Sequence, residues 1–393
     1  MRRASLALLL VCAVRPATAQ DTTSAIPPAL WMDVAYPKVF YTGREGLVVG
    51  GYVAYLSPMS FAEFDRPEAY RGAYSLNAEL GTRGSRKVVL EARLPRLWPG
   101  WRVMASLGGE RRARDNYFGL GNESVNDAAN VTAAQPDYYH ARDTRHALRG
   151  EVQREVAPRL RVLAGLHLER WRLDTLPGVS RLAQDRAMGA DPAIGRGVWD
   201  ASARVGLVYD SRDSEPAPRR GVLAEVVVSR ASAAAAGDMT YTRGLASASG
   251  YWPATSRLVL AARVLGQRMW GTPLLGTFYR VDTSDRPFKG LGGGESHRAL
   301  PENRLLGPDK LLANLDVRYD LVAIPTLARA TMVGFLDAGR VFHNQPFQVT
   351  TTGLKVGGGA GVVLQFGRAG ILGFTLGAGP DGAVAQALTR WTY

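Results

Sequence analysis

Apolar and polar residues exchange places at nearly every position over long stretches of this chain. Between 257 and 268, Leu258, Leu260, Ala262 and Val264 oppose Arg257, Arg263 and Gln267. In 86–94, Val88, Leu90, Ala92 and Leu94 oppose Lys87, Glu91 and Arg93, and in 160–168 Leu160, Val162, Ala164, Leu166 and Leu168 oppose Arg161 and His167. A period of two is the signature of a strand with unlike faces, and helical periodicity does not compete in these windows. The pattern predicts strands near 46–56, 70–80, 86–94, 101–112, 140–153, 160–172, 198–210, 221–230, 240–252, 257–269, 310–321, 329–341, 354–366, 370–379 and 383–393. Fifteen is an odd number, so the expectation is sixteen, with the missing strand in the N-terminal third.

The connectors carry a second signal. Short turns near 158, 253–255, 324–326 and 367–370 interleave with long polar links at 113–139, 173–197, 270–309 and 342–353. A soluble sandwich shows the same alternation with its apolar face toward a core. Short turns at one end and long loops at the other belong to outer-membrane barrels, whose apolar side meets lipid and whose polar side faces a lumen. Trp391 and Tyr393 close the last predicted strand with aromatics on one face, as an interfacial girdle and a C-terminal barrel signal would.

The chain start agrees. Arg2 and Arg3, the apolar run Leu6–Val14 and Ala17-Thr18-Ala19 form a signal peptide over 1–19, implying export to the bacterial outer membrane. The run is too short for a membrane helix. Cys12, the only cysteine, falls inside it, so no disulfide or cysteine metal site is expected beyond it. Residues 20–45, with Pro27-Pro28, Trp31 and Tyr36, read as a short N-terminal periplasmic segment before a barrel over 46–393. The net charge of +13 falls to +10 without Arg2, Arg3 and Arg15. Nucleic-acid binding is not expected, because the arginines are scattered along strands and loops instead of clustered. Outer-membrane lipid and lipopolysaccharide phosphates are the expected counter-charges at the rim.

No catalytic set is expected. Ser296-His297 sits in GESHR, which lacks the Gly-x-Ser-x-Gly elbow, and neighbours on an extended loop point apart. His140, His146, His167 and His343 lack metal spacing, and Gly290–Gly294 lacks the Lys-Ser/Thr of a nucleotide loop. No metal or cofactor is expected, and Asp210 with Asp213 reads as a turn.

Several segments together resemble one family. GLVYDSRDSEPAPRRG (206–221) has a strand-end turn pattern in Tyr209, Asp210, Arg212, Asp213 and Gly221; DNYFGLGNES (115–124), LGGGESHRAL, LLANLDVRYDL and VGFLDAGRVF follow in order. They resemble the BamA/TamA superfamily of outer-membrane assembly and translocation barrels, the bacterial surface antigen family. The resemblance implies an all-β transmembrane antiparallel barrel with an inward-folded lid loop. It implies that Arg298 on that loop pairs with Asp316 and Asp337 on the next two strands, with Gly292, Gly293 and Gly294 as the hinge. Asp316 and Asp337 also fall on the polar face of their own alternation. Ala299 and Leu300 stand where the family has glycine and an aromatic, and Asp316 where it has glutamate, which implies a looser lock. The family's periplasmic POTRA domains are not expected in this chain, so client capture would fall to separate periplasmic proteins. The implied activity is insertion or translocation of client polypeptides at a weak seam between the first and last strands. A passive or gated porin-like channel, or a surface antigen without transport activity, is the alternative.

Overall fold

A computed structural model describes residues 31–393 except 61, 62, 64, 285, 325 and 326. The signal peptide expected over 1–19 lies outside the described residues. Eleven strands run as β1 (Met32–Thr42), β2 (Gly46–Pro58), β3 (Tyr70–Gly81), β4 (Arg86–Trp98), β5 (Trp101–Asn116), β6 (His140–Ala157), β7 (Leu160–Asp174), β8 (Gly197–Asp210), β9 (Gly221–Ala231), β10 (Tyr241–Pro253) and β11 (Leu258–Gly271). After a two-residue hairpin of β12 (Arg280–Val281) and β13 (Phe288–Lys289), five more follow. These are β14 (Asp309–Ile324), β15 (Ala328–Phe342), β16 (Lys355–Phe366), β17 (Gly370–Gly379) and β18 (Gly382–Leu388). All except β12 and β13 form one sixteen-stranded sheet in sequence order, every described pair antiparallel, with β11 against β14.

Burial is inside-out relative to a water-soluble fold. Leu166 is 68% exposed and Leu376 62%, whereas Arg243 is 1% and Lys310 0% exposed. Over most of their length the strands therefore turn an apolar side outward and a charged side into the lumen, the arrangement that lipid selects. No helix among the described residues is long and apolar enough to cross a membrane.

Two expectations are corrected. The sixteenth strand is β1, which pairs with β2 in register from Met32↔Leu56 to Thr42↔Gly46, so the sheet begins inside the segment expected to precede it. Its less exposed positions Val34, Tyr36 and Phe40 are apolar like the exposed Ala35, Val39 and Tyr41, which hides the alternation, and Pro37 lies among them. A residue without an N–H is tolerated in a strand that lies at an edge, and β1 is the first strand of the sheet order. At the other end, β18 stops at Leu388 and does not reach Trp391 or Tyr393. The tail turns inward: Arg263 Nη1 donates to the Thr392 carbonyl (3.0 Å), and the Tyr393 hydroxyl donates to the Ala261 carbonyl (3.1 Å). The guanidinium of Arg318 lies 4.1 Å from the Trp391 ring centre and 5.3 Å from that of Tyr393. Buried cations attract these aromatic faces into the lumen, so the two rings are not a lipid-facing girdle.

Candidate functional site: an inward lid and its anchors

The chain leaves the wall after Gly271, folds into the lumen and returns at Asp309 to the strand beside the one it left. Closing so long an excursion costs conformational entropy, and the anchors that offset it define the site. At its turn, Gly292 (φ +116°) and Gly293 (φ +101°) adopt backbone that a side chain disfavours. At Gly294 a Cβ would approach Leu388 Cδ2 to 2.6 Å, so the Leu388 side chain would have to shift. The Ser296 hydroxyl closes the turn by accepting from Gly292 N (3.0 Å) and donating to the Gly290 carbonyl (3.0 Å).

The first anchor brings together the three residues singled out as a lock. Arg298 Nη2 is 2.7 Å from Asp316 Oδ1 and 2.7 Å from Asp337 Oδ1, while Nε reaches Asp337 Oδ2 at 2.9 Å. The backbone N–H of Arg298 donates to the same Asp337 oxygen at 2.7 Å. The guanidinium stands 4.1 Å from the Phe335 ring centre. Burial opposes its charge, and Asp316 with Asp337 more than offsets this, holding the Arg298 pKa above the ordinary arginine value. Asn314 ties the pair to the loop, donating to Asp337 Oδ1 and to the Ser296 carbonyl, both at 2.7 Å, and Arg318 takes the second oxygen of Asp316 (2.8 Å). Asn314, Arg318 and Phe335 were missed as site residues. The alternation places Asn314 and Arg318 on the polar face, but does not say which lumen residues meet.

The departures from the family pattern sit in close-packed surroundings. Ala299 lies against glycines of β16 and β17: an added Cβ at Gly357 would come 2.5 Å from its Cβ, and one at Gly377 2.8 Å from its Cα. Leu300 is 1% exposed in an apolar cluster with Phe288, Leu291, Leu312 and Val341. Asp316, though shorter than glutamate, still reaches Arg298.

Further anchors hold the rest of the lid. Asp282 accepts from Arg204 Nη1 (2.8 Å) and from the Ser229 hydroxyl (3.1 Å), tying the β12–β13 hairpin to β8 and β9. Glu302 pairs with Arg44 of the β1–β2 turn and Arg112 of β5, both at 2.7 Å. Two residues on, Arg304 pairs with Asp381 of the β17–β18 turn and donates to the Ser124 hydroxyl (2.8 Å). β1 and β18 are the two ends of the sheet order, and no ladder joins them among the described residues. One short lid segment thus grips the hairpin on each side of that boundary. A cavity of about 480 Å³ remains on this side of the lid, walled by Gly292–Glu295, by Lys87, Arg112 and Arg145, and by Gln386–Leu388 of β18.

The remaining predicted residues are not in the lid. Tyr209 and Asp210 are the last two residues of β8, and Asp210 is held by Arg212 (2.9 Å) and Arg161 (3.1 Å). Asp213 accepts from the backbone N–H groups of Arg219 and Arg220 (2.9 and 3.1 Å). Gly221 (φ +104°) leaves no room for a Cβ, which would fall 2.2 Å from the Ser211 carbonyl. Together they build the β8–β9 turn. Ser296 and His297 face different partners, His297 Nε2 lying 2.9 Å from the Lys355 carbonyl. Ligand atoms of His167, Glu169 and Asp200 lie within 4.8 Å of one another, but Arg280 sits among them, with Nη1 3.3 Å from Glu169 and Nη2 3.4 Å from Asp200. Its guanidinium is their counter-charge.

Residues 74–378 match the model of the Omp85 superfamily domain. Among solved structures, the fold is similar to BamA from Haemophilus ducreyi lacking POTRA domains 1–3, with a TM-score of 0.52, 14% identity, and 91% of this chain against 70% of that one. CdiB from Escherichia coli matches with a TM-score of 0.57, 12% identity and 93% of this chain, and CdiB from Acinetobacter baumannii with 0.51, 10% and 96%. The chain spans 64% of the length of each CdiB chain. No curated protein sequence matches this one.

Proposed function

The chain belongs to the Omp85 superfamily, and on that premise we propose that this outer-membrane barrel helps polypeptides insert into or cross the outer membrane without catalytic chemistry of its own. The observation that carries the reading is the boundary between β1 and β18. The two edges of the sheet order carry no ladder between them among the described residues, while Glu302–Arg44 and Arg304–Asp381 hold the flanking hairpins to one lid segment. Unpaired N–H and C=O groups along such edges are a template for an incoming strand. In this mechanism the lid keeps the seam closed, and its movement frees both edges for a client.

Reconstitution tests this directly. Vesicles containing the barrel are expected to accelerate folding of a small outer-membrane barrel several-fold over empty vesicles, and equal rates would reject the proposal. A second reading, a gated channel, is favoured by the 480 Å³ cavity with its charged lining. Planar-bilayer recording separates the two: large steady wild-type conductance with no effect on client folding would favour the channel.

A further inference from the structure

The outer wall has a second chemical feature, away from the lid. Below its long-loop end, the lipid-facing side of β4 to β7 changes from apolar to basic within one or two residues. On β5 it runs Leu107, Gly109, Arg111; on β6, Leu148, His146, Thr144, Arg142; on β7, Leu166, Leu168, Arg170, Arg172. The register sets these side by side: Arg86 opposite Arg111, Arg111 opposite Thr144, Thr144 opposite Arg172, and His146 opposite Arg170. Neighbouring strands are about 4.8 Å apart, so the cations form one patch across four strands.

What marks the patch is missing counter-charge. Arg172 pairs with Asp174 (2.8 Å), but Arg86, Arg111, Arg142 and Arg170 have no hydrogen-bond or ion-pair partner among the described residues. The Nε atoms of Arg111 and Arg142 are buried and unsatisfied. On the far wall three outward arginines at the same level are engaged: Arg230 donates to Thr242 (2.8 Å), Arg268 lies over Trp270 and 4.0 Å from Asp309, and Arg340 donates to Gln345 (3.2 Å).

Height on the wall identifies the ligand's medium. Trp101, 43% exposed, starts β5 at the short-turn end, ten residues before Arg111. At about 3.3 Å per residue and a tilt near 40°, that separation is roughly 25 Å across the membrane, the height of a barrel's apolar band. The patch therefore stands at the outer headgroup level, directly above Val88, Leu107, Leu148 and Leu166, which are 50–70% exposed. Guanidinium forks bind phosphate oxygens in pairs, and four unpaired forks over an apolar wall suit a multiply charged amphiphile.

We infer that this face of β4–β7 is a binding site for an outer-leaflet glycolipid bearing more than one phosphate, its phosphates on Arg86, Arg111, Arg142 and Arg170 and its acyl chains on the leucines beneath. The site rests on the barrel spanning the outer membrane and is independent of the lid and its proposed role.

The test is lipid binding to the full barrel in non-ionic detergent, read by native mass spectrometry, with heat-modifiable gel mobility as the check of folding. Lipid A with two phosphates is expected to bind at least tenfold more tightly than its monophosphorylated form. The double variant Arg111→Gln/Arg170→Gln is expected to lose at least tenfold, and Arg86→Gln/Arg142→Gln serves if the first pair fails to fold. Arg268→Gln/Arg340→Gln, on the other wall, is expected to bind as wild type. Unchanged affinity in both patch variants, equal loss in the control variant, or equal binding of phosphatidylcholine would overturn the site. Displacement by millimolar inorganic phosphate would overturn its assignment to a lipid. None of these outcomes touches client folding or conductance, which report on the lid.

Discussion

The lid is held differently on the two walls that its anchors reach. On the β14–β15 wall, Arg298 and Asp337 are 1% and 0% exposed and share three hydrogen bonds, with Asp316, Asn314 and Phe335 completing the contact. Toward the seam, Arg44 and Glu302 are 31% and 23% exposed, with Arg304–Asp381 between the extremes at 5% and 7%. A buried charge pair is costly to break because the partner left behind stays desolvated, whereas a half-exposed pair exchanges for water at little cost. The lid is thus pivoted at one wall and latched at the other, and the seam lies on the latched side.

The sharpest way to break this contrast is Arg298→Ala, which strands Asp316 and Asp337 without their cation. A loss of about 3–5 kcal/mol is expected, seen as earlier thermal unfolding, with single-channel conductance rising several-fold. Conductance equal to wild type would mean that the lid does not pivot there. Gly377→Ala attacks the same end by crowding, since its Cβ would lie 2.8 Å from Ala299 Cα. Overpacking of this kind costs about 1–3 kcal/mol, and partial opening with protease sensitivity near 299 is the expected readout.

At the latched end, Glu302→Gln alone is expected to cost about 1 kcal/mol, because Glu302 and Arg44 are partly screened by solvent, and Glu302→Gln/Arg304→Gln more, because it also leaves Asp381 buried without its cation. Its effect is expected at the seam: capture of a fluorescent peptide of residues 382–388 should rise several-fold while conductance changes little. A rise in conductance matching that of Arg298→Ala would erase the distinction between the ends. The smallest expected effect is of pH. Burial alone would raise the Glu302 pKa, but Arg112, Lys289 and Arg44 pull it well below the usual carboxylate range. A depressed carboxylate contributes stability fully above its unfolded pKa near 4.5, and loses it only as pH falls through the lower folded value. Peptide capture should therefore be flat from pH 7 to 5 and rise only in stronger acid; a rise centred at pH 6 would contradict this.

Alternation is local, and it made most of the wall legible: Leu258–Val264 or Val88–Leu94 can be read without knowing their neighbours. It failed where another force took over. Apolar Val34, Tyr36 and Phe40 on the less exposed side hid the period of β1, and Trp391 and Tyr393 prolonged a pattern that the cations Arg318 and Arg263 turn into the lumen. The Arg298 lock was legible through resemblance, and the polar-face positions of Asp316 and Asp337 agreed with it. Asp282, Glu302 and Arg304 were not, because loop residues have no period, and Glu302 meets a partner 258 positions away. The basic patch on β4–β7 was hidden for the same reason: each strand contributes one or two arginines, and only the register collects them.

The most direct test of the pivot-and-latch account is the distance between spin labels at Gly43→Cys and Ala383→Cys, on the two hairpins beside the seam, in a Cys12→Ser background. The account expects one narrow distribution in the otherwise wild-type lid and a broader, longer one once Glu302→Gln/Arg304→Gln is added. The same narrow distribution in both would contradict it, showing that the seam is held by something other than the lid.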